Sequence, residues 1–254
     1  MAFAILSDIH ANKEAFLHVL DDLQNVSVDR IVCLGDLIGY GPDPCETVEL
    51  ARRTFSFCLK GNHEHAVLFD DMSTFNQTAR ISTEWTKAKV RKTDEEPDDD
   101  NSGWSYLTSL REWRHEDEYL FVHATPAEPL RQYLTPEDTE NHQKMDEVFE
   151  RVTNVSFGGH THVPGVFEED DYRFLEPDAI DRRYTLNDRK AHVNVGSVGQ
   201  PRDGNPDACY VIVDGDDIHF RRVAYDVTET ANKIFEHETL PDTFGEQLLH
   251  GKAS

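Results

Sequence analysis

At 254 residues the chain is long enough to bury about 70–75% of its unfolded surface, which allows one large domain or two small ones. Its 49 acidic residues outnumber 25 basic ones, and the net charge of −24 sets the surface against phosphate backbones and anionic membranes. No stretch approaches the roughly 20 apolar residues of a membrane span, and four cysteines without C-x-x-C spacing argue against a disulfide framework or a zinc ribbon.

The first apolar run, residues 3–6, ends in Ser7-Asp8 and reads as a buried strand. It has no basic n-region before it, so it does not read as a signal peptide, and a soluble, cytoplasmic protein is expected. From Asn12, a candidate N-cap, the apolar positions Ala15, Phe16, Val19, Leu20 and Leu23 recur at helical spacing. Residues 30–34 form a second buried strand that runs into the turn Gly35-Asp36. The Gly- and Pro-rich residues 39–44 are a loop, a helix follows around 45–53, and residues 54–59 read as a strand. This alternation is that of a sheet covered by helices. Residues from about 65 to 118 read as a helical insertion or cap, with helix-like stretches near 75–92 and 103–114 and an acidic tract at 94–100 that reads as a solvated loop. Strand patterns resume at 119–122, 152–157, 163–167, 191–195, 208–213 and 218–222, joined by short turns such as Asp214-Gly215-Asp216. From about 226 to 254 the chain reads as a helix and a loose tail, and residues 1–254 as one domain.

Five of the predicted strand ends carry metal-binding side chains. Asp8-Ile9-His10 turns a carboxylate and an imidazole toward one small volume. Asp36 follows Gly35, where a lone carboxylate more often caps the next helix than binds a cation. In Gly61-Asn62-His63-Glu64 the asparagine offers a neutral oxygen, suited to a site already rich in charge, and the adjacent His63 points elsewhere, toward a leaving group. His123 closes the strand at 119–122, and Gly158-Gly159-His160-Thr161-His162 presents two imidazoles after two residues without bulk. Taken singly, each has an ordinary structural explanation. If the strand ends gather at one edge of a sheet, Asp8, His10, Asp36, Asn62, His123, His160 and His162 meet in the crevice where such folds bind ligands. Seven ligands suit two metals with a shared carboxylate and open positions for water, whereas one metal would leave several of them unused.

In order, these runs spell D-x-H, G-D, G-N-H-E, H and G-H-x-H over residues 8 to 162, a pattern that resembles the calcineurin-like metallophosphoesterases. The run from Asn194 to Arg202 is similar to their small bacterial and archaeal phosphodiesterase branch. The resemblance implies an α+β fold, a four-layer αββα sandwich of two mixed β-sheets flanked by helices. It implies that Asp8, His10 and His162 hold one divalent ion, that Asn62, His123 and His160 hold a second, and that Asp36 bridges them. His63 matches the histidine that stabilises the transition state or protonates the leaving group. One departure is Ala124, where relatives often carry glycine. Manganese is the first metal expected, with iron, zinc, nickel or cobalt as alternatives.

The chemistry expected is hydrolysis of a small phosphodiester or phosphomonoester, of nucleotide type among others. A hydroxide bridging two ions about 3.5–4 Å apart would attack in line. Arg202 either reaches a phosphate or pairs with a surface carboxylate. Rival readings are a dinucleoside polyphosphate hydrolase, a protein phosphatase, a cyclic-nucleotide phosphodiesterase or nuclease, and a non-catalytic scaffold. The last resembles a retromer subunit of the same fold, which lacks the histidine that His63 supplies here. The expected partner is a small phosphorylated substrate, not a long nucleic acid or a membrane, and the chain is expected to act as a monomer or homodimer.

Overall fold

A computed structural model describes residues 2–93 and 102–253 of the chain. Strand β1 (Ala2–Leu6) is apolar on both sides because both its faces are covered: Phe3 and Ile5 enter one core, Ala4 and Leu6 another. Helix α1 (Lys13–Gln24) begins where Asn12 Oδ1 accepts from the Ala15 N–H at 3.0 Å. Strand β2 (Arg30–Cys33), helix α2 (Pro44–Thr54) and the short strand β3 (Phe57–Cys58) follow. Three helices come next: α3 (Asn62–Phe69), α4 (Gln77–Thr93) and α5 (Gly103–Ser109). The second half contains β4 (Trp113–Glu116), β5 (Tyr119–Val122), α6 (His142–Phe149), β6 (Val155–Gly158), β7 (Gly165–Glu168) and β8 (Arg173–Leu175). It continues through β9 (Arg183–Thr185), β10 (Ala191–Asn194), β11 (Ala208–Asp214) and β12 (Asp217–Val223) and closes with α7 (Val227–Phe235) and α8 (Asp242–His250).

Among the described residues the strands form two mixed six-stranded sheets, ordered β3-β2-β1-β11-β12-β9 and β4-β5-β6-β10-β7-β8. In the first, β1, β2 and β3 run parallel; in the second, β5, β6 and β10 do. Phe3, Ile5, Val32 and Leu34 pack against Phe121, Phe157 and Val193 between the two sheets. On the outer face of the first sheet, Leu6 and Cys33 meet Phe16 and Leu107 from the helices. On the outer face of the second, Phe167 meets Val148 and Phe149 of α6. The molecule is therefore the expected αββα sandwich of two mixed sheets. Among the described residues no helix is long and apolar enough to cross a membrane.

Several elements differ from the expected ones. The strand read at 54–59 shrinks to Phe57–Cys58, because α2 runs on to Thr54 and Phe55 stacks on Phe16 at 5.5 Å instead of joining the sheet. The helix read at 103–114 stops at Ser109, and Trp113–Glu116 pairs antiparallel with β5, so the insertion at about 65–118 is helical only in its first part. The tail after 226 is not loose. Ile234, Leu240, Phe244 and Leu248 of α7, α8 and their connection bury themselves with Tyr40 and Trp85. Helix α6 and strands β8 and β9 are additional to the expected elements; β8 and β9 are three residues long and begin at arginines, too short for a strand pattern to show. The acidic tract at 94–100 lies outside the described residues.

A polar network fastens α7 to the first half of the chain. The Thr230 hydroxyl donates to Glu14 Oε2 at 2.7 Å, and Lys233 Nζ donates to Glu14 Oε1 at 2.5 Å and to Asp43 Oδ2 at 2.9 Å. Burial would raise the Glu14 pKa, but the Lys233 ammonium and the Thr230 hydroxyl outweigh it and lower the pKa from 4.5. A lowered carboxylate adds stability that is present above the unfolded value and is lost as pH falls through the folded one. Glu14→Gln should therefore cost about 1 kcal/mol in urea unfolding at pH 7, and the difference from the unaltered protein should fade at an acidic pH below 4.5. An equal cost at both pH values would show that the charge contributes nothing.

Candidate metal centre

The loops that leave β1, β2 and β6 share an unusual backbone. Asp8, His10, Asp36, His160 and His162 have φ of 54°, 49°, 53°, 65° and 62°, in the left-handed region that residues with a Cβ seldom enter. Their neighbours hold them there. The Asp8 N–H donates to Gly35 O at 3.0 Å and the His10 N–H to Asp36 O at 2.9 Å, so the first two loops continue the ladder of their strands. Strain repeated at five polar positions marks a site that the surrounding structure over-determines.

All eight of the metal-ligand and catalytic candidates read from the sequence meet here. Three sets of side-chain atoms each lie within 4.8 Å of one another: Asp8, His10 and His162; His10, Asp36 and His63; Asp36, His123 and His160. Asn62 joins the third set, with its Oδ1 3.0 Å from His123 Nε2. Asp36 Oδ2 lies 3.2 Å from His123 Nε2 and 3.7 Å from His10 Nε2, so one carboxylate faces both ends of the cluster.

Backbone carbonyls fix the imidazole tautomers. His10, His123 and His162 each donate from Nδ1, to Ile38 O at 3.2 Å, Leu34 O at 3.1 Å and Gln200 O at 2.5 Å. His160 is turned the other way and donates from Nε2 to Arg131 O at 3.1 Å. A carbonyl only accepts, so each of these nitrogens carries the proton, and the opposite nitrogen of a neutral ring turns a lone pair inward. His10 Nε2 and His162 Nε2 consequently face each other at 3.1 Å. Asp8 Oδ1, 3.2 Å from His162 Nε2, is buried with no hydrogen-bond donor. Acceptors that converge without a donor are the arrangement a cation relieves, and carboxylate, amide oxygen and imidazole suit a divalent one.

The charges follow the same division. Burial holds His160 at about 3 and His162 at about 4, so both rings are neutral near pH 7. At His123 burial acts in the same direction, but the Asp36 carboxylate prevails and lifts it to about 9, so a proton competes with a cation for Nε2. Burial also opposes ionisation of Asp8, yet His162 and His10 beside it keep its carboxyl well below the usual range. His63 stands apart. Its ring lies 4.5 Å from that of Tyr40 and 4.8 Å from that of Phe75, burial holds it well below the usual histidine range, and its Nδ1 has no partner.

Arg202 borders the centre instead of forming a surface ion pair. Its Nη2 donates to Gln200 Oε1 at 2.8 Å and to Tyr40 Oη at 3.4 Å, and among the described residues it meets no carboxylate within ion-pair distance. Tyr133, half exposed, lays its ring 4.3 Å from that of His160.

Sequence reading missed Glu64. This fully buried carboxylate accepts from the N–H groups of Asp36 at 2.8 Å, Gly61 at 2.8 Å and Ile38 at 3.2 Å, tying the loop after β2 to the start of α3. Burial, with the Asp36 charge nearby, raises it to about 7. The signal was available: Gly61-x-x-Glu64 has the spacing of a capping box, and Glu64 is the third residue of α3. Asn194, which opens the run to Arg202, donates from Nδ2 to Gly159 O at 2.7 Å and to Thr161 Oγ1 at 2.8 Å. The motif glycines act through close approach. A Cβ on Gly159 would stand 2.3 Å from Asp8 Oδ2, and one on Gly61 would stand 2.0 Å from Asp36 Oδ1.

The profile of the calcineurin-like phosphoesterase superfamily domain matches residues 1–217. An uncharacterized protein of Methanocaldococcus jannaschii is 36% identical over 257 residues, covering 98% of each chain. The crystal structure of a metallophosphoesterase from Sphaerobacter thermophilus superposes with a TM-score of 0.80 at 31% identity, over 99% of each chain. A hypothetical protein from Pyrococcus horikoshii superposes at 0.75 over 99% of each chain, at 18% identity, a likeness of fold alone.

The close approach at Gly61 gives a test. In Gly61→Ala the added methyl group displaces the Asp36 carboxylate, and calorimetric titration of chelator-stripped protein with Mn²⁺ should show affinity reduced roughly 10–100-fold with the circular dichroism unchanged. Unaltered affinity would mean that the position of Asp36 is immaterial to metal binding.

Proposed function

Because this chain belongs to the calcineurin-like phosphoesterase superfamily, a family of metal-dependent hydrolases, we propose that it hydrolyses a small phosphodiester or phosphomonoester at a pair of divalent ions. The observation that carries this reading is the convergence of carboxylate, amide and imidazole ligand atoms in adjoining clusters, with Asp8 Oδ1 left without a donor and one carboxylate, Asp36, turned to both clusters. On this reading Asp8, His10 and His162 hold one ion, Asn62, His123 and His160 the other, and Asp36 serves both. Two such ions supply polarisation of the phosphoryl oxygens and a water of lowered pKa.

The remaining work falls to residues of the chain. His63, buried and neutral, has a ring nitrogen without a partner and offers an N–H to the leaving oxygen. The rings of Tyr40 and Phe75 clamp it, so the N–H is aimed before substrate arrives. Arg202, anchored by Gln200 and Tyr40, gives a fixed positive charge for a phosphoryl oxygen. The scaffold alternative has no use for a buried histidine with an unspent nitrogen, which favours the enzyme. The substrate we propose is small and phosphorylated, and manganese is the ion to supply first.

The test is turnover by manganese-loaded protein on p-nitrophenyl mono- and diesters and on dinucleoside polyphosphates. Chelation and Asp36→Asn should abolish it, whereas His63→Ala should lower kcat roughly 10²–10⁴-fold with two ions still bound per chain. Activity indifferent to Asp36→Asn would sink the proposal. Two ions bound without turnover on any ester would favour the scaffold.

A further inference from the structure

The wall that carries His160 and His162 has a second side. Thr161, between them, turns onto a cleft of about 740 Å³ that the candidate metal centre does not use. Arg202 belongs to both sides: its N–H donates to His162 O at 3.3 Å, its guanidinium touches Tyr40, and the residue lines the cleft. The volume falls within the range of small-molecule sites.

The lining has three chemical parts. Phe174 and Phe220 give it an apolar, aromatic wall. Arg202 and Lys252 are its cations without an ion pair among the described residues, whereas Arg182 is paired with Asp178 and Arg222 with Asp203. Lys252 comes to the rim because the Gly204 N–H donates to Gly251 O at 2.8 Å, which pins the last turn of the chain against the loop after Arg202. Glu137 and Glu176, also lining the cleft, are carboxylates without an ion pair among the described residues and can accept N–H groups from a ligand.

We propose that this cleft binds a nucleoside monophosphate, with the phosphate on Arg202 and Lys252, the base against Phe174 and Phe220, and the N–H groups of the base on Glu137 or Glu176. A simple anion would leave the aromatic wall and the carboxylates unused. An apolar molecule would cover the Arg202, Lys252, Glu137 and Glu176 charges without offering any of them an ionic partner. A nucleotide presents a planar ring, hydrogen-bond donors and a phosphate in one molecule, and guanidinium with ammonium is a phosphate-binding pair. In a protein of net charge −24, two cations without a carboxylate partner among the described residues, Lys252 and an Arg202 held through Nη2 by Gln200 and Tyr40, on one small concavity are where an anion can settle.

The site is tested without turnover, so its failure is separate from that of the hydrolase reading. Calorimetric titration of the full chain with AMP, after removal of metals by chelator, should give one site. Adenosine and ribose 5-phosphate should each bind about tenfold more weakly or worse, since each lacks one part of the recognised molecule. Lys252→Glu, an exposed position in the last turn, should weaken AMP about tenfold or more, Lys252→Arg should restore it, and Asp36→Asn should leave it unchanged. The proposal is overturned if AMP fails to bind at millimolar concentration. It is equally overturned if binding survives Lys252→Glu or is lost in Asp36→Asn, which would send the ligand to the metal centre.

Discussion

Asp36 is fixed from several directions, and the centre is arranged around it. The His63 N–H donates to its Oδ1 at 2.9 Å, its own N–H is held by Glu64, and its Oδ2 faces His123 and His10. Each contact reaches a different element: α3 through His63 and Glu64, the loop after β5 through His123, and the loop after β1 through His10. A carboxylate in that position cannot shift toward one cluster without losing its register with the other. The left-handed backbone at residue 36 is the local cost of the arrangement, of the order of 1–3 kcal/mol, offset by the hydrogen bonds between the loops.

The sandwich matters to this chemistry because of direction. Parallel pairing of β1 with β2, and of β5 with β6, sends both chain ends of each pair out at one edge. The core between the sheets holds those two edges at a constant spacing, since Ile5 and Leu34 on one side pack into the same apolar layer as Phe121 and Phe157 on the other. Four loops from two sheets thereby reach one small volume. The acidic composition of the whole chain and the charges within that volume are separate matters. The centre is governed by burial and by a few neighbours, as the opposite shifts of His123 and His160 demonstrate.

Much of this was legible in the sequence, for physical reasons. A short apolar run that stops at Asp8 or Asp36 can only be a buried strand with a polar end, and the glycines beside the ligands leave room that no side chain may take. The less legible parts depend on contacts remote in sequence. Nothing near residues 113–116 announces a strand; β5 supplies the hydrogen bonds and Phe57 lies 4.6 Å beneath the Arg114 guanidinium. Nothing near Glu64 states that its carboxylate will collect three N–H groups from two loops. The helix expected after 226 is present as α7, whereas α8 reads as a loose tail because its apolar positions belong to a cluster with Tyr40 and Trp85, whose availability only the folded chain reveals.

The four imidazoles whose protons rest on main-chain oxygens have a bearing on how such a protein changes over generations. A partner made of side-chain atoms can be exchanged by one codon; a carbonyl belongs to every residue alike. Point replacement at Leu34, Ile38, Arg131 or Gln200 therefore leaves the acceptor in place, provided the chain keeps its path. Insertions and deletions in these loops are the events that would re-aim the rings. Diversification by substitution is thus freest in the walls around the metal-binding residues, and the orientation of those residues is inherited with the loop lengths.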